Sequence, residues 1–291
     1  MNHAFLILAH DSPELLQRIV DRIQAPNHFV FVHLDKNSNS RKVRIKYGRY
    51  VSDRKRIAVN WGGYSMIKAE LLLLREALSS SVNFDYFHLI SGHDYPCVDK
   101  DSFDIFFEQC PERKSYMYFD TYQDLISWPT KSYDRVNKWF FDDAKQNNLV
   151  YRAYHKFLFK FVKRKYKGGL YSGWQWFSWH RSLVEWVMNY RRWHYPFFLR
   201  FHYTSCCDEI VFHTLLYPNI EKLNIENYNS LRYIDWRPNR PAKTLPLVLD
   251  ERDYQSIMNS GSLFCRKVFL DKSAALLDML DSHSDRLCRI S

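Results

Sequence analysis

The stretch AFLILAHDSPELLQRIVDRIQAPNHFVFVHLD, residues 4–35, constrains the fold more than any other part of the chain. AFLILA (4–9) reads as a buried strand, and Ser12, Pro13 and Glu14 then supply an N-cap, a proline for the first helical position and an early acid. Leu15, Leu16, Ile19, Val20 and Ile23 recur at helical spacing, and HFVFVHLD (28–35) is a second strand that ends in an acid. Strand, helix and strand in this order imply a right-handed crossover and a parallel sheet. IAVNWGGYS leads into a helix through LLLLREAL, FDYFHLIS (84–91) is a further strand, and another helix is expected from Asp101 or Ser102. The first 110 residues therefore alternate like a nucleotide-binding α/β layer. Neither G-x-G-x-x-G nor G-x-x-x-x-G-K-[ST] occurs, so phosphate must be held without a glycine-rich loop.

Farther along, WQWFSW (174–179) and LRYIDW (231–236) read as strands among helices, and no repeat or low-complexity linker divides the chain. One domain over residues 1–291 is expected, in two halves, 1–110 and 111–291. A chain of 291 residues that is 46% hydrophobic and 17% aromatic can bury a large core, which excludes disorder as its main theme. The formal charge of +10 predicts attraction to something anionic: nucleic acid, an acidic membrane surface or a phosphorylated small molecule. Cys97, Cys110, Cys206, Cys207, Cys265 and Cys288 form no C-x-x-C pair and no zinc-ligand spacing, so reduced thiols in a cytosolic protein are expected. MNHAFLILAHDSP lacks a basic leader, and its apolar run is too short for a secretory segment or a membrane span.

In TSCCDEIVFHTLL (204–216), Asp208 and Glu209 open an otherwise apolar run. Carboxylates at a helix start accept free N–H groups, which gives a structural reading; a catalytic carboxylate is the other. Asp99-Lys100-Asp101 matches the metal-binding Asp-x-Asp pattern, but its place before SFDIFFEQ favours helix capping. Residues 151–167, YRAYHKFLFKFVKRKYK, gather Tyr151, Tyr154, Leu158, Phe161 and Val162 on one side of a helical wheel. Arg152, Lys156, Lys160, Lys163 and Lys167 gather opposite. Such a helix either packs on the core with a solvated basic face or docks on anionic lipid. His10, His33, His93 and His213 show no metal-ligand spacing and are expected in core or turn roles, and no G-x-S-x-G elbow suggests a hydrolase.

Several segments together resemble glycosyltransferase family 14, the core-2/I-branching N-acetylglucosaminyltransferases and peptide O-xylosyltransferases. They are AFLILAH, HFVFVHLDKNS, VNWGGYSMIKAELLLL, FHLISGHDYP, GGLYSGWQWFSWHRSLVEWV, CCDEIVFHTLL, LRYIDW and LFCRKVF, in family order from residue 4 to about 269. The resemblance implies an α/β, GT-A-like fold with a mixed, mostly parallel central sheet flanked by helices. It implies inverting transfer from a UDP-sugar, GlcNAc favoured and xylose the alternative, to a hydroxyl of a glycan or lipid-linked saccharide. Residues 1–110 would then be the nucleotide-binding half and 111–291 the acceptor and diphosphate half.

By the same resemblance Glu209 is the base, and Asp208 an N-cap or an acceptor contact. Cys207 stands where the family often has proline. Family 14 is metal-independent, so no metal and no cofactor is expected; Arg266 and Lys267, with Lys243 or Arg240, would hold the diphosphate. Asp35 is assigned to uridine, and Asp94, Gln175 and Trp176 to the sugar or acceptor pocket. Xylosyl-transferring relatives carry an acid where Gln175 stands, and GlcNAc-transferring ones a small residue, which leaves the donor sugar open. A bacterial cytoplasmic enzyme, peripheral at the inner membrane face through residues 151–167, is the expected setting. A basic nucleic-acid-binding protein is the competing class, but no recognised binding motif appears, and nucleic acid is not expected as a partner.

Overall fold

The structure, a computed structural model, describes residues 1–110, 112–120, 134–143 and 149–282. The opening crossover is present: β1 (His3–Ala9), α1 (Pro13–Ile23) and β2 (His28–Leu34), with β1 and β2 parallel from His3↔His28 to Ala9↔Leu34. Successive β1 side chains point to opposite faces, and both faces are covered. Ala4 and Leu6 join one apolar cluster, while Phe5, Ile7 and Ala9 join the other with Leu15, Leu16, Ile19, Val20 and Ile23 of α1. Each large side chain so buried contributes about 1.5–3 kcal/mol relative to exposure.

Ser12 does not cap α1 with its side chain as its sequence position suggests. It adopts a left-handed conformation at φ 46°, and only its carbonyl engages, accepting the Leu16 N–H at 3.0 Å. β3 (Gly48–Tyr50) pairs along β2, α2 (Tyr64–Leu78) is buried along much of its length, and β4 (Tyr86–Ser91) runs parallel to β1. β5 (Asp94–Pro96) and α3 (Lys100–Glu108) follow, with α3 beginning one residue earlier than expected because Asp99 is its cap.

The central sheet is completed by β6 (Ser115–Phe119), β7 (Gly173–His180) and β8 (Ile225–Glu226), in the order β3-β2-β1-β4-β7-β6-β8. Its pairings are parallel except β4–β7 and β6–β7, so the sheet is mixed and mostly parallel, as the resemblance implies. A second sheet, in the order β5-β10-β9, joins β9 (Arg232–Ile234) and β10 (Phe264–Arg266) to β5, so residues 264–266 return to the strand just after β4. LRYIDW yields only the three residues of β9.

The basic helix, α4 (Leu149–Phe161), ends before Lys163 and Lys167. Among its described side chains the core-packing reading finds little support: Tyr154, Phe157, Phe161 and Val162 are exposed, as are Leu149 and Val150 at its start, and Leu158 is partly buried. The side chains of Tyr151 and Arg152 lie outside the described residues, as does Cys288. The helices α5 (Arg181–Trp193), α6 (Tyr195–Leu199), α7 (Val211–Leu216), α8 (Tyr254–Asn259) and α9 (Leu270–Ser282) complete the elements used below. Cys97, Cys110, Cys206, Cys207 and Cys265 are all free thiols.

Candidate active site

The acid pair does not sit at a regular helix start. Cys207–Glu209 form a 3-10 turn just before α7, introduced by Cys206 in the left-handed region at φ 49°. The Cys206 N–H donates to Gly62 O at 2.8 Å, which ties the turn to the VNWGGYS loop ahead of α2. Gly62 itself has φ +75°, a conformation glycine adopts without strain. Asp143 caps the start of α2, accepting the Ser65 N–H at 2.9 Å and the Ser65 hydroxyl at 2.5 Å. A Cβ on Gly63 would stand 2.2 Å from Asp143 Oδ1, so a larger residue there would displace this carboxylate from Ser65.

Glu209 keeps 35% of its side chain exposed and accepts a hydrogen bond from Arg135 at 2.8 Å. Burial raises its pKa, and Arg135 opposes that rise by favouring the ionised form. Asp208 is buried, and its side chain makes no capping bond, which corrects the N-cap expectation: the turn's own geometry, not a carboxylate, starts α7. Its Oδ1 has no hydrogen-bond partner, and burial together with the Glu209 charge pushes the carboxyl up to about 7.

A third acid completes the cluster and was missed in the sequence. Glu70, in the middle of α2, is fully buried; its Oε1 accepts the Gln175 amide at 2.5 Å, and burial, reinforced by the Asp208 charge, raises its pKa well above the usual range. The available signal was one acid inside the apolar run IKAELLLL, where a purely packing helix has no use for it. Arg135 gave no motif signal at all. Trp61 is 84% exposed, one residue from the Gly62 carbonyl that anchors the acid turn.

Arg266, at the end of β10, donates to Ser91 Oγ at 2.6 Å and Asp94 Oδ2 at 3.2 Å, and its guanidinium lies 4.3 Å from the centre of the Trp176 ring. Arg266 also lowers the Asp208 pKa, which places this cation in the field of the acid pair. Asp94 is fully buried, accepts the Ser91 N–H and hydroxyl at 2.5 Å, and leaves Oδ1 without a partner. The structure thus brings Glu209, Asp208, Gln175, Trp176, Asp94 and Arg266 together, with Glu70 and Arg135 added.

Lys267 follows Arg266, and its ammonium donates to Thr244 Oγ1 at 3.2 Å, so the loop carrying the exposed Lys243 lies beside it. Burial, Arg266 and Lys272 together depress the Lys267 pKa. Arg240 is otherwise committed: it pairs with both oxygens of Asp253, at 2.9 and 2.6 Å, and with Asp250 at 3.3 Å. Asp35 stands just beyond β2, where open α/β sheets receive ligands. Its two oxygens accept the Asn37 N–H at 2.6 Å and the Val59 N–H at 2.8 Å. No hydrogen bond or ion pair joins Asp35 or Lys243 to the acid cluster among the described residues.

Asp99 accepts the Ser102 N–H at 2.8 Å and hydroxyl at 2.9 Å, the capping role expected of it. Asp99 and Asp101 line a cleft of about 810 Å³ with Arg18, Arg22, Tyr95 and Asp281, on elements other than those carrying Glu209. His33 and His213 are buried structural residues: His33 accepts the Ile57 N–H at 3.0 Å, and His213 Nε2 lies 3.1 Å from Tyr118 O.

Comparison with known proteins agrees with this architecture. Xylosyltransferase 1 of Canis lupus familiaris is 26% identical over 243 residues, covering 80% of this chain and 24% of that protein. The xylosyltransferase of Ciona intestinalis is 24% identical over 244 residues, covering 78% of this chain and 26% of its own length. Beta-glucuronosyltransferase GlcAT14A of Arabidopsis thaliana is 24% identical over 284 residues, 91% of this chain and 60% of that protein. The chain thus spans about a quarter of the length of the xylosyltransferases it matches. The family model described as Core-2/I-Branching enzyme matches residues 3–258, nearly the whole chain, and the chain belongs to that family of glycosyltransferases.

Proposed function

We propose that this chain transfers a sugar from a UDP-sugar to a hydroxyl of a glycan or lipid-linked saccharide, with inversion and without a metal ion in the chemistry. The observation that carries the reading is Glu209, a half-exposed carboxylate paired with Arg135, on a turn that shares its electrostatic field with Arg266. In the proposed step Glu209 takes the proton of the acceptor hydroxyl while that oxygen bonds to the anomeric carbon. The bond from that carbon to the diphosphate breaks on the opposite face, and UDP leaves with the electron pair. Arg266 and Lys267, with Lys243 on the adjoining loop, offset the charge that develops there; preorganised cations of this kind supply several kcal/mol once bound substrate excludes water. Asp35 takes the uridine, while Asp94, Gln175, Trp176 and Asp208 shape the sugar and acceptor pocket.

GlcNAc is the donor we favour from the family resemblance. Xylose is the second reading, supported by the names of the matched relatives. The setting we infer is a bacterial cytoplasm, with α4 laid on the anionic inner leaflet. Its exposed Tyr154, Phe157 and Phe161 beside Lys156 and Lys160 support that contact. No described helix is long and apolar enough to cross a membrane.

The test is a donor screen, UDP-GlcNAc against UDP-xylose, UDP-glucose, UDP-galactose and UDP-glucuronate, with Glu209→Gln as control. A positioned base contributes roughly 10² to 10⁴ in rate, so the variant loses about 3 to 5 kcal/mol of barrier lowering. Full activity in Glu209→Gln, or thermal stabilisation by oligonucleotides and not by UDP, refutes the proposal.

A further inference from the structure

The carboxyl ends of β1 and β4 bring together three side chains that the proposed chemistry does not use. His10 and Asp11 follow β1 directly, and His93 lies in the turn between β4 and β5. Asp11 Oδ1 stands 3.0 Å from His93 Nε2, and Asp11 Oδ2 stands 3.4 Å from His10 Nε2. One ligand atom from each residue can be chosen so that all three lie within 4.8 Å of one another. Nothing in the sequence signals this, because His10 and His93 sit far apart and share no short motif.

His93 is held on several sides. Its N–H donates to Ser91 Oγ at 3.1 Å, its carbonyl accepts the Val268 N–H at 3.0 Å, and the Phe269 ring packs 4.3 Å from its own. Its Nδ1 lies 3.1 Å from the Val268 carbonyl oxygen. A carbonyl only accepts, so Nδ1 carries a proton, and Nε2 is the ring atom that faces Asp11. A lone pair facing a carboxylate oxygen at 3.0 Å is repulsive unless a proton or a cation stands between them. Nε2 is buried and forms no aligned hydrogen bond, which leaves this ring position, 3.0 Å from the Asp11 carboxylate, able to face a bound cation.

We propose that His10, Asp11 and His93 bind one divalent transition-metal ion of the zinc class. Two imidazoles and a carboxylate suit that ion, and ligand bonds of about 2.1 Å in tetrahedral geometry separate ligand atoms by roughly 3.4 Å. The observed 3.0 and 3.4 Å fall near that spacing. The Val268 carbonyl is the outer partner that fixes the ligating tautomer of His93. His10 and Asp11 are 63% and 47% exposed, which gives the ion an entry path and leaves a coordination position to water. Val268 adjoins Lys267, so the ion pins the end of β1 and the β4–β5 turn to the segment that leaves β10. It acts as a clamp on that corner, and the inference stands apart from the proposed transfer chemistry.

Co²⁺ serves as the probe, added to the full chain after chelator treatment and removal of the chelator, and followed by ligand-field absorption and titration calorimetry. One Co²⁺ per chain is expected, displaced by Zn²⁺, with a rise in Tm on binding. His10→Ala and Asp11→Asn lower the Co²⁺ affinity at least about tenfold. His10 is exposed, so His10→Ala without metal melts like the metal-free parent. No stoichiometric uptake, uptake unchanged in both variants, or a metal-insensitive His93–Asp11 pair that responds only to pH overturns the proposal.

Discussion

Replacing Asp208 by asparagine removes a buried carboxyl that titrates near neutrality, and the pH dependence of stability reads it out. Asp208 is 7% exposed, its Oδ1 is unpartnered, and burial with the Glu209 charge raises it from 3.8 to about 7. Between those two values the native state holds a proton that the unfolded chain has released, so stability falls as pH rises through the window. A rise of that size, at roughly 1.4 kcal/mol per tenfold change in proton affinity, gives a full effect of about 4 kcal/mol. Buried histidines act in the opposite sense. Burial holds His3 and His213 near 3 and His33 near 4, so their stability is lost as pH falls below the ordinary imidazole range. Comparing parent with Asp208→Asn cancels those contributions, because both proteins carry the same histidines. Urea unfolding followed by circular dichroism at pH 4 and pH 8 is the assay. The stability of the variant relative to the parent should increase by up to about 4 kcal/mol from the lower pH to the higher. A difference constant within about 0.5 kcal/mol would show that Asp208 does not titrate in this window and would refute the argument.

Lys267→Ala should weaken UDP binding about tenfold or more by calorimetry. Arg240→Ala should leave UDP binding intact and cost about 1–3 kcal/mol of stability, because it strands the buried Asp253; equal loss of UDP affinity in both would reverse these assignments. Trp61→Ala should raise the acceptor KM several-fold with little change in kcat, since ring stacking contributes about 0.5–1.5 kcal/mol. An unchanged acceptor KM would show that the exposed Trp61, beside the loop that anchors the acid turn, takes no part in acceptor binding. Gly63→Ala should lower Tm, because its Cβ would collide with Asp143 Oδ1 at 2.2 Å and loosen the cap on α2.

Much of the sheet was legible because its signals are local. Pro13 at the first helical position, the five apolar positions of α1 and the acid closing HFVFVHLD each report on a neighbour a few residues away. What was not legible is set by contacts across long sequence separations. Ser12 has the side chain of a cap, yet its backbone is left-handed and its hydroxyl makes no capping bond to the helix. Arg240 and Lys243 look alike as loop cations, and only the fold reveals that Asp250 and Asp253 already hold Arg240. Glu70 becomes meaningful when β7 delivers Gln175 to it across 105 positions. The amphipathic wheel of α4 was visible, but periodicity alone cannot tell a covered apolar face from an open one.

The choice between the two neighbouring acids can now be argued from electrostatics. A general base must be ionised at working pH and within reach of the acceptor hydroxyl. Asp208 meets neither condition well: it is enclosed, lacks a partner on Oδ1, and is pushed up to about 7 by burial and by the charge beside it. Glu209 is 35% exposed and has Arg135 at 2.8 Å to favour its charged form. The two are linked, since an ionised Glu209 raises Asp208, which in turn keeps a proton close to the site. On the proposed reading, Glu209 does the proton abstraction and Asp208 orients the hydroxyl that loses the proton. Removing Arg135 tests this division, because Arg135→Met withdraws the cation that opposes the raised Glu209 pKa. The acidic limb of the pH–rate profile should then move to higher pH, with the donor KM unchanged. If that limb stays where it is, Arg135 does not tune the base, and the assignment of the proton to Glu209 loses its electrostatic support.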